Sequence, residues 1–169
     1  MIQLNPYTSA HCRKTASWVA QFYGFHESLV TGEASAPGEE ELQECLETIA
    51  QWQVHPDALY TILEGEDPVG FVHLCHRGPI VAWIEDVFVD AAHRGRGIAT
   101  AAIRAAEQII RDTPGYQAVS MDVSLRNAEA LALYHKLGYR DLSLVTVRKE
   151  LGDSKRDRPV SLLGLEFRY

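Results

Sequence analysis

"WIEDVFVDAAHRGRGIATAAIRAAEQII", residues 83–110, is the stretch on which the reading of this chain turns. A strand-like segment carrying Glu85 and Asp86 runs into two glycines flanked by arginines, and from there into a helix. Gly95 and Gly97 can bring bare backbone close to a ligand. The helix behind them offers N–H groups without intrahelical partners and the positive end of its dipole. That is the physics of phosphate binding. A plain turn with solvated arginines fits the same few residues.

"MIQLNPYT" alternates like a short strand, and Trp18, Val19 and Phe22 share a helical face between Thr15 and about Phe25. "TGEASAPG" reads as a loop. Leu42, Cys45, Leu46 and Ile49 recur at helical spacing, behind three glutamates suited to a helix start. After Pro56, "ALYTILEGEDPVGFVHLCHRG" predicts two strands joined by a turn at Gly65 to Pro68, and "IVAWIEDVFV" a third, in an antiparallel meander. The glycine corner follows, then a helix to about Asp112 and the strand "AVSMDVSL". A further helix runs from Asn127, with Ala130, Leu133, Tyr134 and Leu137 on one face and Gly138 as its stop. "YRDLSLVTVRKEL" and "RPVSLLGLEFRY" are strand candidates around the polar loop "GDSKRD". The order predicts one mixed α/β domain over residues 1–169.

Composition narrows the function classes. The 169 residues are 46% hydrophobic and 23% charged, ordinary values for one soluble domain. No apolar run approaches the roughly 20 residues that cross a bilayer, and the opening residues do not have the order of a signal peptide. Cys12, Cys45 and Cys75 are odd in number and widely spaced, which suggests a reducing cytoplasm. The net charge of −7 hides an asymmetry. Residues 15–76 contain eleven acidic residues and no lysine or arginine, whereas the remainder has sixteen basic against twelve acidic residues. A general nucleic-acid binder is not expected to look like this.

Two familiar phosphate loops fail at the glycine corner. The Walker pattern needs Gly-Lys-Ser/Thr at its end, and the dinucleotide pattern needs a small residue where Thr100 stands, within a parallel βαβ unit. Arg94, Gly97 and Ala99 instead match R/Q-x-x-G-x-G/A, and "NAEALALYHKLGY" supplies Asn127, Tyr134 and Leu137-Gly138-Tyr139. By these two motifs, about 30 residues apart, the chain resembles the GNAT superfamily of acyl-CoA N-acyltransferases over nearly its whole length. No key position departs from the pattern.

The resemblance implies a central, largely antiparallel sheet splayed between its fourth and fifth strands, with helices on both faces. It implies acetyl-CoA as cosubstrate, its pantetheine arm paired with the backbone of Val87, Phe88 and Val89. The amides of Gly95, Arg96, Gly97, Ile98, Ala99 and Thr100 would cradle the pyrophosphate, with Arg94 or Arg96 adding charge. Asn127 would bond the cofactor arm, although a helix cap explains it equally. Tyr134 occupies the general-acid position, where it would protonate the departing thiolate; as a residue on an apolar helix face, it also reads as core. A backbone N–H of Val87 to Val89 would meet the oxyanion.

Glu85 is the candidate base. Alternation predicts Trp83, Glu85, Val87 and Val89 on one face, with Asp86 pointing the other way in a structural role. A carboxylate is poorly matched to a primary ammonium, so it would act through water, through burial, or by attracting the cation. Pairing with a nearby arginine is the plain alternative. His73 and Cys75 share a face, but no second ligand pair exists, so no metal is expected.

The resemblance places the acceptor among the first two helices and the loop between the last strands. Trp18, Tyr23, Phe25 and Trp52 stand in or near the stretch without bases. The expected acceptor is therefore a cationic amine: an aminoglycoside, a polyamine, a similar small amine or a protein amino group. Neither nucleic acid nor membrane is an expected partner, and the chain is expected as a monomer or homodimer. A non-catalytic acetyl-CoA sensor is the alternative, with a nucleotide-dependent enzyme of another fold further off.

Overall fold

The structure, a computed structural model, describes residues 1–33, 36–55, 57–152 and 156–169. Pro56 and parts of the expected loops at 31–38 and 152–157 lie outside the described residues. The chain forms two compact units, Met1–Gly24 with Ser35–Asp122, and Phe25–Ala34 with Val123–Tyr169.

The first unit is built on a five-stranded sheet in the order β1-β2-β3-β4-β5. Its strands are β1 (Ile2–Pro6), β2 (Ala58–Glu64), β3 (Asp67–His76), β4 (Val81–Val89) and β5 (Ala118–Ser120). β1 to β4 are antiparallel, and β5 pairs parallel to β4. The turn between β2 and β3 is tighter than expected. Gly65, at φ 68°, and Glu66 make it alone, and Pro68 falls inside β3 beside a register irregularity, a position that tolerates the missing N–H.

Helices cover both faces of this sheet. On one side, α1 (Cys12–Thr31) and α2 (Glu39–Gln51) pack Trp18, Val19, Phe22, Cys45 and Ile49 against Leu59, Phe71 and Phe88. α1 begins earlier and ends later than its apolar stripe suggests. α2 starts behind Gly38, whose N–H donates to Glu41 Oε2 at 2.7 Å; this satisfies one of the donors a helix start leaves over. α3 (Ile98–Asp112) lies against β1, β3 and β4. Its buried stripe of Ile98, Ala102, Ile103, Ala106 and Ile110 alternates small with branched residues, which lets the helix come close to the sheet.

The second unit holds α4 (Ala128–Leu137) and a hairpin of β6 (Pro159–Leu162) and β7 (Leu165–Arg168). Arg126 ties it together, with Nη2 donating to the Tyr169 carbonyl at 2.9 Å and Nη1 to the Leu29 carbonyl at 3.3 Å. The strand expected at 139–151 is absent: residues 139–150 have no regular secondary structure, and both final strands fall within 159–168. Leu142 and Leu144 share one parity, Val145 and Val147 the other, so a strand here would need cover on both faces. All four are between 55% and 82% exposed. Likewise β5 spans three residues of the expected eight.

Candidate active site

β4 is paired along most of its length by β3, but β5 accompanies it only from Val81 to Trp83. β5 ends at Ser120, opposite Trp83, so among the described residues one edge of β4 past Trp83 has no strand beside it. Which groups face that edge follows from antiparallel alternation. Asp90 N–H donates to the Val69 carbonyl at 2.9 Å, so Phe88 likewise bonds toward β3 while the amides of Val87 and Val89 turn to the open side. Phe88 therefore gives its backbone to β3 and its ring to the core, where it stacks on Phe71. Of the three residues expected to pair with the cofactor arm, Val87 and Val89 turn their backbone groups to the open edge and Phe88 does not.

The chain leaves β4 through Asp90, whose Oδ1 accepts from Ala92 N–H at 3.1 Å and starts a short 3-10 turn at Ala91–His93. Gly95 and Gly97 follow at φ 74° and 77°, values that favour glycine. At both, the space a side chain would enter is open to at least 4 Å. The first carbonyl taken up by α3 is that of Gly97, from Ala101 N–H at 3.0 Å, so the N–H groups of Ile98, Ala99 and Thr100 lead the helix unmatched. This cradle fits a diphosphate. Arg94 Nε donates to the Val89 carbonyl at 2.9 Å, and the Arg96 side chain is half exposed.

Glu85 does not lie where alternation puts it. Asp86 stands opposite His73 and Ile84 opposite Leu74, so Glu85 is the extra residue of a bulge. The added residue shifts the phase by one: register puts Trp83 on the side of Asp86 and Phe88, and Ile84 on that of Val87. Glu85 Oε1 is bonded by Arg77, while its Oε2 is buried without a partner among the described residues. Arg77 is itself held by Asp122 at 2.9 Å and lies 4.3 Å from the centroid of the Trp83 ring. The arginine pairing that the sequence left open is thus present, and one carboxylate oxygen remains.

Asp86 accepts from Nδ1 of the buried His73 at 2.8 Å, and Trp52 stacks on that imidazole at 4.3 Å. Tyr23, 45% exposed on α1, has its phenol pushed up to about 12, first by burial and then by Asp86, Cys45 and Glu85. It stays a neutral hydroxyl donor at ordinary pH. Of the aromatics expected around an acceptor, Trp18 is core, and Trp52 packs on Phe71 and His73. Tyr23 and Phe25 remain exposed. The sequence offered His73 only as a metal ligand and Tyr23 only as an aromatic near the acceptor. For Arg77 the sole trace was its place at the end of the long stretch without bases.

In the second unit, Asn127 Oδ1 accepts from Ala130 N–H at 3.2 Å and caps α4, which leaves its Nδ2 as a donor. Tyr134 is half-buried, with its ring 6.1 Å from that of Tyr139. Its carbonyl accepts from Gly138 and Tyr139 N–H where Gly138, at φ 109°, closes the helix. Among the described residues, no helix is long and apolar enough to cross a membrane, and no group of three metal-ligating side chains is found.

Residues 24–139 match the family described as Acetyltransferase (GNAT) family. A stretch of 54 residues is 41% identical to human N-acetyltransferase 8, covering 32% of this chain and 23% of that protein. The chain thus spans about a quarter of that curated relative's length. Among solved structures, a putative acetyltransferase (YycN) from Bacillus subtilis superposes with a TM-score of 0.66 at 21% identity, covering 90% of this chain and 100% of that one. The aminoglycoside N-acetyltransferase AAC(6')-Iy in complex with CoA gives 0.64 at 18% identity, covering 90% and 96%. At these identities the structural likeness concerns the fold.

Proposed function

The chain belongs to the acetyltransferase (GNAT) family, and from that membership we propose that it is an N-acetyltransferase. It moves an acetyl group from acetyl-CoA to a primary amine by direct attack in a ternary complex, with residues 1–169 acting as one catalytic domain in the cytoplasm. The observation that carries this reading is the unpaired edge of β4 leading straight into the glycine corner. A pantetheine amide chain extends a sheet edge as a strand does, and a diphosphate suits the start of α3.

In this reading Val87 and Val89 supply the backbone partners, and one of their N–H groups meets the oxyanion. The amides from Gly95 to Thr100 hold the diphosphate, with charge from Arg96, and Asn127 Nδ2 donates to the cofactor arm. Glu85 Oε2 receives the acceptor ammonium or a water that relays its proton. Tyr134 protonates the departing thiolate; a phenol of ordinary pKa about 10 is a weaker acid than a thiol of about 8.5, so the transfer is uphill by about 2 kcal/mol and relies on the phenol being held within hydrogen-bond reach of the sulfur. The acceptor is a cationic amine, supported by the partnerless Glu85 oxygen and by the absence of lysine and arginine from residues 15–76. One solved structure of similar fold is an aminoglycoside N-acetyltransferase.

Calorimetric titration with acetyl-CoA, followed by thiol release over a panel of amines, tests the proposal. Binding without turnover on any amine would leave only a coenzyme-binding module. Tyr134→Phe is expected to lower kcat by about 100-fold or more with acetyl-CoA affinity unchanged. Full turnover in that variant would remove Tyr134 from the chemistry.

A further inference from the structure

Two exposed arginines bracket Gly95, and they take different partners. Arg94 is committed to β4, through the Val89 carbonyl and the Phe88 ring, whose centroid lies 5.3 Å from the guanidinium. Arg96 extends to the last residue of β2, where its Nη2 donates to Glu64 Oε1 at 2.6 Å. His93, from the 3-10 turn before the corner, completes a triad. Its Nδ1 lies 3.3 Å from Glu64 Oε2 and 3.4 Å from Arg96 Nη1.

A carboxylate beside an anion cradle works against the anion, both by repulsion and by holding the nearest mobile cation. Resting on the coenzyme reading above, we propose that Glu64 is an internal competitor for Arg96. In the free protein the carboxylate holds the guanidinium; the diphosphate draws it away, and His93 remains as the partner of the other Glu64 oxygen. Glu64 is thus a positioning residue, acting through Arg96, that limits coenzyme affinity. An acetyltransferase needs such a limit, because the spent coenzyme carries the same diphosphate as the incoming one and must leave in every cycle.

The sign of the effect distinguishes this role from a structural one. Glu64→Gln keeps the shape and removes the charge, and CoA affinity measured by calorimetry is expected to rise about two- to fivefold, the scale of an exposed ion pair. Arg96→Gln weakens binding in both backgrounds, and more in the Glu64→Gln background, where Arg96 is unengaged. Glu64→Ser, with thermal melting of both variants, guards against a folding artefact. Affinity equal to or below that of the unaltered protein in both well-folded Glu64 variants overturns the proposal while leaving the coenzyme reading intact. Absence of CoA binding by the unaltered protein overturns both.

Discussion

Gly97 shows how much one backbone angle carries. At φ 77° a side chain is strained by about 1–2 kcal/mol, yet the space ahead of it is open. Gly97→Trp is therefore expected to fold, with a modest loss of stability, while abolishing acetyl-CoA binding by calorimetry. Asp90 is a second decisive position. The Trp18 indole N–H, donating at 2.9 Å, holds its carboxyl below the usual range; burial opposes this, and Ala92 N–H, His93 and Lys14 add to it. Because the folded value is the lower one, the unfolded chain takes up the proton first. The stabilisation is present above the unfolded value of about 3.9 and is lost as pH falls through the folded one. Trp18→Phe should weaken this part of the acid dependence, read as urea midpoints between pH 5 and pH 3. Gly97 was legible from its neighbours, because a glycine-arginine corner before a helix is a local pattern. The bond between Trp18 and Asp90 was not, because 72 residues separate them.

Among the elements, β4 carries the site and depends on its contact with β3. A Cβ at Gly70 would lie 2.1 Å from the Phe88 carbonyl oxygen and 3.1 Å from Val89 Cα. Both are backbone atoms that cannot turn aside. Gly70→Ala should cost about 3 kcal/mol in a denaturant titration. It should also weaken coenzyme binding, since it displaces the strand that presents Val87 and Val89. The existence of β2, β3, β4, α3 and α4 could be read from periodicity and stop signals. The phase of β4 could not: a bulge is chosen by the register against β3, and no residue in "WIEDVFV" announces it. The segment at 139–151 failed for a related reason. Strand propensity describes fit to a partner, and among the described residues the segment has no strand partner.

For the molecule as a whole, the charge asymmetry bears on the acceptor. A cationic substrate drawn to an acidic surface is attracted less strongly as salt shortens the Debye length from about 10 Å at 0.1 M to about 3 Å at 1 M. For polycationic amines, kcat/KM is expected to fall with added salt and to exceed that for neutral amines of similar size. A preference for neutral or acidic amines would refute the charge argument. The family, the glycine corner and the helix behind it were determined by the sequence itself, because each is a pattern of near neighbours that fixes local backbone. The tertiary structure alone decided the partners: Arg77 for Glu85, His73 for Asp86, Glu64 for Arg96. Those pairings depend on strand register and on where the chain returns, and a side chain's own neighbours in sequence do not encode what it will meet across a sheet.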